Sequence, residues 1–85
     1  MTYTLQIQRR AQKELAQVPS PAYEKVLEHI RALAENPRPK GSMKLAGRNG
    51  WRIRAGTYRV IYELDGERKT VTILHVGHRR DVYKQ

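Results

Sequence analysis

A chain of 85 residues suits one domain with a single modest core and leaves no room for a second module. Only 39% of it is hydrophobic, with no Phe and one Trp, so Leu, Ile, Val and Ala with a few Tyr rings must supply the core; the absence of Cys excludes a disulfide scaffold and any thiolate-ligated metal. The formal charge of +9 at pH 7 narrows the partners to nucleic acid, an anionic membrane surface or an acidic protein.

The opening Tyr3, Leu5, Ile7 alternates with Thr4, Gln6, Gln8, which predicts a short strand with one buried face. From Arg9 the period changes. Ala11, Leu15 and Val18 fall on one side and Arg10, Lys13, Glu14 and Gln17 on the other, giving a first helix that runs to about Val18 and stops at Pro19. Ser20-Pro21 restarts a helix, with Ser20 as the N-cap and Pro21 at the first helical position. Tyr23, Val26, Leu27, Ile30, Leu33 and Ala34 then recur at spacings of three and four until Asn36-Pro37 ends the helix. A loop leads to Gly50. Trp51 to Arg54 alternates apolar and basic as a strand, Ala55-Gly56-Thr57 is a tight connection, and Tyr58 to Leu64 is the next strand. Asp65-Gly66 predicts a two-residue hairpin turn of type I′, after which Thr70 to Val76 reads as a strand covered on both faces and broken by Gly77. The expected fold is α+β over a single domain, residues 1–85, in the order β-α-α-β-β-β. A helical hairpin covers one face of a small, mainly antiparallel sheet, and the other face is left for function.

Seven bases and no acid lie between Asn36 and Tyr62, whereas the segments on either side each net only +1. No apolar run is long enough for a signal peptide or a membrane span, and the basic block lacks helical periodicity, so a cytoplasmic protein without a membrane partner is expected. Strand parity places Arg52, Arg54 and Arg59 on one sheet face, with Arg79 arriving from the end of the last strand. Guanidinium groups bind phosphate bidentately and stabilise charge that grows in a transition state, which suits phosphoryl chemistry. Tyr58 and Tyr62 fall on the opposite face, so Tyr83 is the better partner for a base or a phosphate.

The run KLAGRNGWRIRAGTYRVIYEL, the Asp65-Gly66 turn and the tail VGHRRDVY together resemble the RelE/ParE superfamily of toxins from type II toxin–antitoxin systems, in its RelE-like branch. The resemblance covers essentially the whole chain. It implies a ribosome-dependent endoribonuclease that cleaves mRNA in the A site by attack of a ribose 2′-hydroxyl on the adjacent phosphate, with no metal or other cofactor. By position, Arg59 and Arg79 match the family's phosphate-stabilising arginines and Tyr83 its C-terminal tyrosine. Arg52 and Arg54 stand where some members have lysines. Arginine stays protonated, so neither is a general base, and His78 beside Arg79 is the candidate for that role. Lys44, Arg48 and Arg80 are the candidates for contacts to ribosomal RNA. An acidic antitoxin that covers the basic face in a hetero-oligomer is the implied protein partner.

Blander readings stand beside these. Arg52 and Arg54 could line a merely solvated strand, Arg59 and Arg79 could pair with Glu63 or Asp81, and His78 could be structural. His75, between apolar neighbours, reads as a core or sheet-face histidine, and His29 as a surface residue. Two other functions compete: the gyrase-inhibiting branch of the same superfamily, and a catalytically weak module that only binds its antitoxin.

Overall fold

A computed structural model describes residues 2–45 and 50–78. In chain order the elements are β1 (Thr4–Ile7), α1 (Arg9–Ala16), α2 (Ala22–Glu35), β2 (Met43–Lys44), β3 (Gly50–Ala55), β4 (Tyr58–Asp65) and β5 (Thr70–His78). The strands form one sheet in the order β1-β5-β4-β3-β2, in which β1 pairs parallel to β5 and the remaining pairs are antiparallel. Both helices pack on one face, so the expected α+β architecture is the one adopted. The apolar stripe of the helices, Ala11, Leu15, Val26, Ile30 and Leu33, joined by Val18 from the connection after α1, which ends at Ala16 rather than near Val18, meets Ile53, Ala55, Val60, Tyr62, Val71, Ile73 and Val76 from the sheet in a single core.

Four other local details differ from the sequence reading. Helix α2 begins at Ala22, with Pro21 in the capping position at φ −86°, ψ 1°. Ser20 is therefore one residue too early to reach the first free N–H groups, and its hydroxyl donates to the Glu24 carboxylate at 3.0 Å instead. The stretch expected as loop before Gly50 contains β2, whose Met43 and Lys44 pair with Arg52 and Trp51. The β4–β5 connection is longer than a type I′ turn, since Asp65 pairs with Thr70. Asp65 Oδ1 accepts from the N–H groups of Glu67 and Arg68, at 3.1 and 3.0 Å, and the positive φ of 53° falls on Lys69. Finally, Gly77 does not break β5, because it continues the ladder opposite Arg59. The β3–β4 turn is tight as expected, with Gly56 at φ 66° at its first central position.

One buried polar contact ties the sheet to the loop after α2. Tyr62 is fully buried, and its hydroxyl donates to the Pro37 carbonyl at 2.7 Å. Burial pushes its pKa up to about 12, against the opposing effects of a hydrogen bond with Ser42 and the Arg38 charge. Folding thus favours the neutral phenol. The stabilisation from this preference is complete below the ordinary value near 10 and is lost as pH rises towards 12. Tyr62→Phe leaves the Pro37 carbonyl without this donor and should cost about 1–3 kcal/mol in urea unfolding at pH 7. It should also flatten the alkaline decline between pH 10 and 12; an unchanged decline would mean that another group controls it.

Candidate functional site

The sheet face away from the helices is built in rows. Residues directly opposite on neighbouring strands share a face, so the pairings Met43–Arg52, Arg52–Ile61 and Ile61–His75 draw one row across β2, β3, β4 and β5. A second row runs Arg54–Arg59–Gly77. The three arginines expected together are therefore on one face, on two adjoining strands, and neither row contains an acid. Gly77 carries no side chain, so the second row ends in bare backbone beside Arg59.

The three guanidinium groups differ in exposure. Arg54 is exposed, while Arg52 and Arg59 are only 4% and 8% exposed. Arg52 points along the first row towards β2, where its Nη2 donates to Met43 Sδ at 3.4 Å. Arg52 and Arg59 are thus both buried in their rows, and Arg54 is the exposed member of the group. Arg54 and Arg59 are directly opposite one another. Like charges in such a pair repel, so the arrangement disfavours folding locally and favours an anion between them.

The remaining candidates are placed elsewhere. Lys44 is exposed on β2, but it pairs with Trp51 and so takes the face opposite Arg52. His78 pairs with Tyr58, and the two rings meet edge to face with centroids 5.8 Å apart. Since Tyr58 packs against the core, His78 is on the face away from Arg59. Arg48, Arg79, Arg80 and Tyr83 lie outside the described residues. Among the described residues, no group of three or more His, Asp or Glu side chains is placed to hold a metal ion, and no helix is long and apolar enough to cross a membrane.

His75 is the residue the sequence reading passed over. Counted from Val71 and Ile73, it should face the core. Between Ile73, opposite Tyr62, and His75, opposite Ile61, however, β5 contains one extra residue, Leu74. This bulge turns His75 onto the arginine face and gives the core position to Val76. On that face His75 Nδ1 lies 3.8 Å from Glu14 Oε1. The same oxygen accepts the Val76 N–H at 2.9 Å, and Oε2 is 3.5 Å from Arg10 Nε. An uninterrupted alternation hides this arrangement from sequence.

A groove of about 390 Å³ adjoins the rows at the β2–β3 edge, between them and α2. His29, Pro39, Lys40, Met43 and Arg54 contribute to its walls. The exposure difference has a direct consequence. Arg54→Ala should change stability by no more than about 0.5 kcal/mol, as surface substitutions do. Arg52→Ala, which removes a buried stem and its charge, should lower the thermal unfolding midpoint clearly; equal effects would contradict the two environments.

Comparison with known proteins agrees with this architecture. Residues 5–83 match the family described as "ParE toxin of type II toxin-antitoxin system, parDE". The chain is 35% identical to Toxin RelG of Mycobacterium tuberculosis over 89 residues, with both chains covered completely. The toxin in the archaeal RelE-RelB complex from Pyrococcus horikoshii superposes with a TM-score of 0.83 at 32% identity, covering 95% of this chain and 99% of that one. The isolated RelE toxin of E. coli superposes with a TM-score of 0.78 at 29% identity, covering 96% and 92%.

Proposed function

The chain belongs to the RelE/ParE superfamily of type II toxins, and from that premise we propose that it is a ribosome-dependent endoribonuclease cleaving mRNA in the A site. The observation that carries this reading is the Arg54–Arg59 pair, two like charges held directly opposite on a face without an acid in either row. A phosphodiester between them turns the repulsion into two attractions. As the 2′-oxygen attacks, negative charge grows on the phosphoryl oxygens, and fixed guanidinium donors stabilise that charge more than they stabilise the ground state. The burial of Arg59 strengthens its contribution, because less water screens it. Arg52 adds positive potential from below without reaching the ligand. Arg79 and Tyr83, assigned by the tail motif VGHRRDVY, complete the proposed group.

The proposed partner in the resting state is an acidic antitoxin. RelE-type relatives have been solved as RelB complexes. Charge complementarity supports an acidic segment across Arg54 and Arg59 that blocks RNA by occupying the phosphate position. The groove beside Met43 and Pro39 offers that segment an apolar foothold. Lys44, Arg48 and Arg80 remain candidates for ribosomal RNA, although Lys44 would do so from the other face. Among these proposals His78 loses its role as base, because it projects away from Arg59.

Purified protein added to ribosomes carrying a defined mRNA should cut the message at the A-site codon. Arg59→Ala should slow that cut by about 10²–10³-fold, the usual effect of removing one transition-state donor. Ribosome binding should weaken with salt at a log–log slope of about −0.7 to −0.9 per phosphate contacted. The matching family carries the ParE name, which keeps the gyrase-inhibiting branch as the competing reading. Intact mRNA together with double-strand DNA breaks in expressing cells would establish that reading in place of this one.

A further inference from the structure

The three arginines of this face supply charge stabilisation, but none of them can accept a proton from the attacking hydroxyl. Arg52, Arg54 and Arg59 stay protonated at any physiological pH. The bulge at Leu74 brings one imidazole to that face. His75 follows Ile61 in the first row and is a diagonal neighbour of Arg59, a spacing of about 7–8 Å between backbones that leaves room for one phosphodiester and its ribose. Its side chain is 18% exposed.

We propose that His75 is the general base of the cleavage reaction and Glu14 its positioning residue, an inference that rests on the endoribonuclease reading above. Glu14 is fixed from two sides, by the Val76 N–H on Oε1 and by Arg10 on Oε2, and faces His75 Nδ1 at 3.8 Å. At 3.8 Å the carboxylate is beyond hydrogen-bond distance, but its charge favours the tautomer that carries its proton on Nδ1. The lone pair is then on Nε2, at the other side of the ring. In the reaction Nε2 takes the proton of the 2′-hydroxyl while the O2′–P bond forms and the P–O5′ bond breaks. The departing 5′-oxygen takes a proton from water, and the imidazolium returns its proton to solvent. The products are a 2′,3′-cyclic phosphate and a 5′-hydroxyl, with no change of oxidation state. The carboxylate also stabilises the imidazolium as it forms, the same division of labour seen wherever a histidine base is held by an acid.

Among the described residues, the charged groups on the elements beside His75 are Glu14 and Arg10 on α1 and Arg59 and Glu63 on β4. Single-turnover cleavage by the full chain on programmed ribosomes, followed from pH 5 to 9, tests the pair. Wild-type protein should show a rising limb set by one imidazole. His75→Gln should lose about 10²–10⁴-fold in rate together with that limb, the usual contribution of a positioned base. Glu14→Gln keeps an oxygen for the Val76 N–H but removes the charge, so the limb should move to lower pH and the plateau should fall. Added imidazole should restore part of the activity of His75→Ala, which a folding defect would not permit. His75→Gln cutting at the wild-type rate with the wild-type pH profile would refute the pair and leave the endoribonuclease intact. A lower rate with an unshifted limb would refute the base role as well. Wild-type protein that leaves the mRNA whole would overturn both proposals together.

Discussion

One extra residue in β5 sets the relation between the two faces of this sheet. A strand presents alternate side chains to opposite sides, so every residue after Leu74 changes face relative to an unbroken count. Without that shift Val76 would project outwards and His75 would be driven into the core against Val60. With it, Val76 is 2% exposed among aliphatic neighbours and the imidazole is on the polar side. Packing pays for the irregularity, since burying one valine is worth about 1.5–3 kcal/mol and keeping an imidazole out of an apolar core avoids a comparable penalty. The chemistry of the outer face thus follows from the demands of the inner one.

The same position is where β5 loses its outer neighbour. The pairing of β1 with β5 ends at Ile7 and Ile73, and the chain then turns into α1. The next outward N–H, that of Val76, would be left at a sheet edge, and Glu14 accepts it. Covering an exposed edge with a helix side chain is a general protection against unwanted strand pairing. Here the carboxylate that does so is also the group nearest His75 Nδ1. Fold protection and site geometry share one side chain, so α1, only eight residues long, has a place in the site as well as in the core.

Much of this was legible in the sequence because the signals were periodic. The three- and four-residue spacing of Val26, Ile30 and Leu33 specified α2 and its buried side, and the alternation in Trp51 to Arg54 and Tyr58 to Tyr62 sorted arginines from core residues correctly. What escaped were features that break a period or depend on distant pairing. The Leu74 bulge broke the count and concealed His75. The two-residue strand at Met43–Lys44 is too short to carry an alternation and exists only because β3 offers it an edge. Burial of Arg52 and Arg59 was equally hidden, because parity assigns a side chain to a face but says nothing about what packs around it there.

Charge follows a similar division along β4. Asp65, at the far end of this strand from Arg59, closes the turn by accepting two backbone N–H groups, and Glu63 and Glu67 flank it. These acids are used where backbone geometry or solubility calls for them, and none is opposite Arg54 or Arg59. A sequence selected for stability alone would place an acid at one of those two positions, since an opposite-charge cross-strand pair contributes about 0.2–1 kcal/mol where like charges cost it. Retaining two arginines there forgoes that gain and concentrates positive charge on this face. The conflict between local stability and the chosen residues is therefore itself an indication of function. It is confined to the face where the bulge also delivers an imidazole, so the residues that fold this small sheet and those that give its outer face its charge are separated by strand parity.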